Sequence, residues 1–185
     1  MGLIMAPDPA EQKVLDFLME TGIAWERHEH PPVFTVEQAE VHWKAIRGLH
    51  LKNLFLRNNR GNRQYLVIVE MSKKVDLKVL ARLLGEDRFS FGSADRLKRC
   101  LGVDPGSVSA FNLINDPGHA VKVVLDEDLR AAEFVNFHPN VNTVTLTLRG
   151  ADFQVFLART GHHVRYLKFG PENDRAGTEG LSGQA

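Results

Sequence analysis

Three short stretches of the chain hold side chains able to handle a carbonyl group, a phosphate or a water molecule. The first is GLHLKNLFLRN, residues 48 to 58, where Lys52 and Asn53 interrupt an apolar, strand-like run. Side chains alternate between the faces of a strand, so Lys52 sits with Leu54 and Leu56, and Asn53 with Leu51 and Phe55. Whichever face turns inward then carries one polar group among apolar neighbours. A buried charge without a partner is costly, so that group needs one, often a bound ligand. The plainer alternative is a lysine whose stem packs while its head reaches water. The second stretch is LGVDPGSVSAF, residues 101 to 111. Two glycines and a proline after a helix make a tight loop whose amides can converge on an oxyanion or phosphate, or simply a helix end followed by a turn. The third is FHPNVNTVTL, where His138 precedes Pro139, and Asn140, Asn142 and Thr143 crowd the start of the next strand. A histidine there can orient water or bind a hydroxyl; the alternative is turn chemistry set by backbone geometry.

Other reactive residues carry less. His28 and His30 lie two apart on an extended segment and could share a metal, but no third ligand is evident. His162 and His163 read as strand-edge residues. Cys100 lies beside Lys98 and Arg99 in a helical stretch, which could lower its pKa; a packed, inert thiol is the simpler reading. There is no Walker loop, strand-coupled G-x-G-x-x-G, G-x-S-x-G elbow or H-E-x-x-H, which leaves the commonest nucleotide, serine-hydrolase and zinc-protease chemistries unsupported.

The elements that must position these groups can be read from periodicity and punctuation. DPAEQKVLDFLMET (8–21) predicts a helix with Pro9 in its first turn and Gly22 at its end. IAWERHEHPPVF is extended, and Thr35 with Gln38 at capping-box spacing opens a second helix. HLKNLFLRN and RQYLVIVEM flank NRGN as a hairpin. Asp76 caps LKVLARLLG and Ser93 caps ADRLKRCLG. SAFNLI and AVKVVLDEDL around NDPG predict a second hairpin. FVNFHPNVNTVTLTLRG is a strand, a turn and a strand, ADFQVFLARTG a last helix and HHVRYLKF a closing strand. The tail GPENDRAGTEGLSGQA is polar, Gly-rich and aperiodic, and reads as flexible. Hairpins with interspersed helices indicate a mixed α/β or α+β domain around a curved sheet.

The bulk numbers fit one domain: 185 residues, 43% hydrophobic and 25% charged. One cysteine excludes an internal disulfide and suits a reducing compartment. No apolar run reaches membrane-spanning length, and the N-terminal stretch lacks the basic start of a signal peptide, so a cytoplasmic location is expected. Formal charge is zero, yet residues 41–100 hold 14 Lys and Arg against 5 Asp and Glu, a net +9, with −9 elsewhere. A neutral chain can therefore still present a basic surface to phosphates.

Taken together, HPPVFTVEQA, LKNLFL, YLVIVEMSKKVDLKVLARLLG, FSFGSADRLKRCLGVDPGSVSAF and FHPNVNTVTLTL resemble the editing-domain superfamily of bacterial prolyl-tRNA synthetase. Within it the chain looks most like the free-standing deacylases that clear alanine from tRNA-Pro. The resemblance runs from about residue 10 to 169. It implies a single editing domain over 1–169 followed by the tail at 170–185, with a barrel-like mixed sheet inside surrounding helices and no cofactor or metal. It carries Lys52 and Asn53 to the mouth of an acyl pocket, the glycine loop to Gly102, Pro105, Gly106 and Ser107, and the late histidine to His138. Thr35, Asn140 and Thr143 become substrate contacts. The implied reaction is attack of water on the ester joining an amino acid to the terminal adenosine, with amides near Gly106 and Ser107 facing the oxyanion. The implied partners are the 3′ end and acceptor stem of tRNA-Pro, and prolyl-tRNA synthetase. The alternatives are an editor of cysteinyl, seryl or threonyl esters, a hydrolase of another small acyl ester, and a non-catalytic binding module of the same fold.

Overall fold

The computed structural model describes residues 7–32 and 45–170. The helix expected from Thr35, Thr35 itself and the tail from residue 171 lie outside the described residues.

Helix α1 (Pro9–Glu20) is capped by Asp8, whose carboxylate accepts from the Ala10 amide at 2.8 Å. Strand β1 (Glu26–Glu29) follows. β2 (Leu49–Asn58) and β3 (Gln64–Glu70) form the expected antiparallel hairpin, in register from Leu51 opposite Glu70 to Arg57 opposite Gln64. Asn58 closes its loop by accepting from the amides of Asn62 and Arg63. Asp76 and Ser93 cap α2 (Leu77–Leu84) and α3 (Ala94–Leu101) as expected. β6 (Phe134–Phe137) and β7 (Val144–Arg149) pair antiparallel, β1 lies against β7, and α4 (Gly150–Thr160) precedes β8 (Val164–Leu167).

Two features depart from the sequence reading. SAFNLI is not a strand: Ala110–Asn115 is a 3₁₀ helix opened by a reciprocal cap between Ser109 and Asn112. The second hairpin therefore does not form, and β5 (Val121–Asp126) instead pairs parallel with β3, reached by a long crossover. A three-residue strand, β4 (Phe89–Phe91), also pairs with the far end of β2.

The sheet is mixed, with order β1-β7-β6-β2-β3-β5-β8. The fold is the expected mixed α+β class, but β1 and β8 end the path without pairing to each other, so the barrel-like sheet stays open. Its two halves meet at a narrow seam. β2 pairs with β6 only at Leu49–Val135 and His50–Asn136. The seam forms because Gly48 lets the chains approach: a Cβ there would lie 2.6 Å from Phe134 Cβ and 2.7 Å from its carbonyl oxygen.

One sheet face carries the main core, where Leu51, Phe55, Ile68, Val135, Phe137 and Leu146 meet the helices through Leu18, Leu101, Phe111, Phe153 and Phe156. The other face is apolar only under β2, β3 and β5, where Leu56, Tyr65, Val67 and Val69 pack on Leu80 and Ala81 of α2.

Candidate active site

Strand register decides which chemical groups share a face. Partners across a ladder point the same way, and alternate residues point oppositely. His50 pairs with Asn136, which pairs with Thr147. His50, Lys52, Asn136, Thr145 and Thr147 therefore lie on the face away from the main core. His138 continues β6 by one residue and joins them; its ring lies 5.5 Å from that of His30. The polar half of this face begins where the second core ends, and Lys52 stands on that border.

On one side β2 is zipped to β3 from Leu51 to Arg57. On the other it touches β6 at Leu49 and His50, then β4 from Leu56 onward. Between them, around Lys52 to Leu54, no described strand pairs with that edge. The described pairing of β2 with β6 ends at His50 and Asn136, so Lys52 and His138 are not ladder partners.

The half-buried Lys52 ammonium donates to Met71 O at 3.1 Å and to Lys73 O. Two of its three hydrogens are engaged, leaving one donor for a substrate oxygen. Burial lowers its pKa, opposed by the charge of Glu70.

His138 Nδ1 lies 2.8 Å from Val144 O. A carbonyl only accepts, so Nδ1 carries the hydrogen and Nε2 of the neutral ring keeps a free lone pair. Burial lowers the His138 pKa, the Val144 bond opposes this, and the nearby His30 and His50 lower it further. The ring is thus held neutral, with its accepting nitrogen free.

A buried polar ribbon backs this histidine. Asn136 Nδ2 donates to Arg47 O at 2.8 Å, which turns its Oδ1 toward the Thr147 hydroxyl at 2.6 Å. Thr147 donates there and accepts from His28 Nε2 at 3.1 Å. His30 Nε2 meets Thr145 Oγ1 at 3.0 Å. The paired histidines considered as metal ligands are thus engaged with threonines, and among the described residues no group of three or more His, Cys, Asp or Glu is placed to hold a metal ion.

The glycine loop lies at the rim. Gly106 sits at φ +93°, and Ser107 N donates to Asp104 O at 3.1 Å, closing a tight turn over Pro105 and Gly106. The Ser107 amide, expected to face an oxyanion, is therefore engaged within its own turn; the amide of the exposed Gly106 has no hydrogen-bond partner among the described residues. Gly102 ends α3 in the left-handed conformation. Asn112 bolts this loop to the His138 turn: its Nδ2 donates to Ser107 O at 3.3 Å and Asn140 Oδ1 at 2.7 Å. Asn140 is buried, and its own Nδ2 donates to Ala10 O at 3.3 Å. Expected as a substrate contact, Asn140 is engaged at both ends and acts as a bracket. Thr143 holds the turn through its carbonyl, which accepts from the His30 amide.

Lys52 and His138 thus share the polar face of the sheet, with the glycine loop tied to the His138 turn through Asn112, whereas Asn53 faces the main core. Its Oδ1 is buried without a hydrogen-bond partner, but on the side of the sheet opposite Lys52. His162 is buried against Asp116 at 3.2 Å rather than at a strand edge. Burial raises the Cys100 pKa, as suits a packed thiol. The sequence reading missed Asn112, Asn136, Thr145, Thr147 and His50. The signal for the threonines was present, since TVTLTL alternates hydroxyls with apolar residues.

The open mixed sheet, with a lysine and a histidine on its polar face, is the fold of an aminoacyl-tRNA editing domain. The family model for the aminoacyl-tRNA editing domain matches residues 30–156, and the chain belongs to that family. Its class is that of an aminoacyl-tRNA deacylase, a hydrolase of carboxylic esters. It is 37% identical over 159 residues to the prolyl-tRNA editing protein ProX of Acetoanaerobium sticklandii, covering 86% of this chain and 97% of that one. It is 34% identical over 145 residues to prolyl-tRNA synthetase associated domain-containing protein 1 of Mus musculus, covering 76% and 85% of the two. A solved structure described as a candidate trans-editing enzyme for prolyl tRNA synthetase shares the fold, with a TM-score of 0.66 at 24% identity over 89% of this chain and 100% of that one. Among the described residues no helix is long and apolar enough to cross a membrane.

Proposed function

We propose that the protein is a trans-acting editor in the cytoplasm that hydrolyses the ester of mischarged tRNA-Pro, with alanyl-tRNA-Pro as its first substrate. The observation that carries this reading is the shared polar face of Lys52 and His138 in a chain of this family. The relatives named for prolyl-tRNA editing support the choice of tRNA.

The ester is already activated, so the site has to position water and stabilise the tetrahedral oxyanion. Water attacks the carbonyl carbon and its proton passes toward His138 Nε2. The remaining donor of Lys52, with the Gly106 amide, faces the developing oxyanion; one such donor is worth roughly 2.7–4 kcal/mol of barrier. The bond to the ribose oxygen then breaks, that oxygen takes the proton, and amino acid and free tRNA leave. Thr35 enters as a substrate contact on the resemblance alone. The second sieve is needed because a proline pocket rejects alanine by only about 1–3 kcal/mol. The basic stretch over residues 41–100 offers a surface to the acceptor stem, and prolyl-tRNA synthetase is the natural partner.

The test is ester loss from alanyl-, cysteinyl-, seryl- and prolyl-tRNA-Pro incubated with the purified protein. Release of alanine, abolished by Lys52→Ala, is expected. Preferential release of cysteine or serine reassigns the substrate, and binding without release makes the protein a non-catalytic module.

A further inference from the structure

Phe91 is 63% exposed, more than any other large hydrophobic residue among those described, and it is the sole aromatic in that set. It is not on a loose loop. β4 holds it opposite Leu56 of β2, and the next residue, Gly92, donates to Phe55 O at 2.9 Å. Gly92 is pressed on the Phe55 ring so closely that a Cβ would lie 2.4 Å from it. The aromatic ring is therefore displayed on a rigid, packed edge.

Its direction is also fixed. Leu56 and Phe91 are ladder partners, so Phe91 points to the face of Leu56, Leu54 and Lys52. Lys52 and Leu56 are four strand steps apart, about 13 Å at ~3.3 Å per residue. This face of β2 thus runs from a cation at Lys52 to a bare aromatic ring held opposite Leu56. It lies within the stretch of net charge +9. A flat, sequence-tolerant π-face beside a basic track is how proteins hold single-stranded nucleic acid.

We propose that Phe91 is a stacking platform for an unpaired base of the substrate RNA's 3′ end, inward of the nucleotide that bears the ester. This rests on the editing function proposed above and names the part of the RNA that the domain grips. Phe91 acts on binding alone: it is held opposite Leu56, about 13 Å along the strand from Lys52.

The test compares Phe91→Ala and Phe91→Trp with the wild type in two assays. The first is binding of a short uncharged RNA hairpin ending in CCA, measured by anisotropy. The second is kcat and KM on alanyl-tRNA-Pro and on alanyl-adenosine, which lacks the inward nucleotides. Phe91→Ala is expected to weaken hairpin binding and raise KM for the tRNA by roughly 5- to 100-fold, the range for loss of one base–aromatic stack. It is expected to leave kcat and the alanyl-adenosine rate unchanged, with Phe91→Trp restoring binding. Unchanged hairpin affinity in Phe91→Ala overturns the proposal, as does an equal loss on alanyl-adenosine, which marks a folding defect. Hairpin binding is read without hydrolysis, so a wild type that binds but does not deacylate refutes the editing reading and still decides the platform.

Discussion

Replacing His138 by asparagine isolates its chemistry from its structural bond. The asparagine Nδ2 sits close to where the imidazole Nδ1 does and can keep the donation to Val144 O, held at 2.8 Å in the native protein. It has nothing at the Nε2 position. Stability is therefore expected to stay within about 1 kcal/mol of wild type, the scale of one retained hydrogen bond. Loss of the proton acceptor should lower single-turnover deacylation by roughly 10²- to 10⁴-fold, or about 3–5 kcal/mol of barrier. The pH profile gives a second readout. Burial lowers the His138 pKa, so the neutral acceptor persists below the ordinary value of about 6.5. Wild-type kcat should be level above that pH and fall only as pH drops through the depressed value; the His138→Asn profile should lack this limb. Stability follows the same sign, because the folded ring binds its proton less readily than the unfolded one: the contribution is complete above about pH 6.5 and is lost as pH falls through the folded pKa. A His138→Asn rate within threefold of wild type, or a wild-type limb centred above 6.5, refutes the reasoning.

Lys52→Met keeps the packed stem and removes the donor, so deacylation should drop at least roughly 10²-fold, while circular-dichroism melting shifts by only a few degrees. Asn112→Ala removes bonds to Ser107, Ser109 and Asn140 and leaves buried groups unpaired; urea unfolding should show a loss of about 2–4 kcal/mol. Gly48→Ala places a methyl against Phe134 in a left-handed backbone conformation and should cost about 2–4 kcal/mol, with activity falling further than the folded fraction.

What the sequence made legible was local. The β2–β3 and β6–β7 hairpins, the caps at Asp76 and Ser93 and the last helix each announce themselves within about a dozen residues, through turn residues and apolar period. The parallel pairings were hidden because nothing local in AVKVVLD tells its partner, and a nearby Pro-Gly turn makes a hairpin look sufficient. SAFNLI misled because six apolar-rich residues suit either a strand or a turn of helix; Ser109 and Asn112, three apart, were the cap signal that decided it. In the site, Lys52 stood out as a polar residue in apolar company, and His138 as a histidine beside amides at a strand entry. Their shared face depended on the two-residue register between Leu49–His50 and Val135–Asn136, which no spacing in the chain reveals. That register also sets Asn53 apart from Lys52, and strand alternation had already put the two on opposite sides.

The seam at Leu49 and His50 has a mechanical corollary. The spacing of the two halves of the sheet is fixed by a single short stitch and by a glycine wedged against Phe134. A substitution at Gly48 or in the two paired positions would therefore shift one half of the sheet against the other, and with it His138 against Lys52, without altering either side chain.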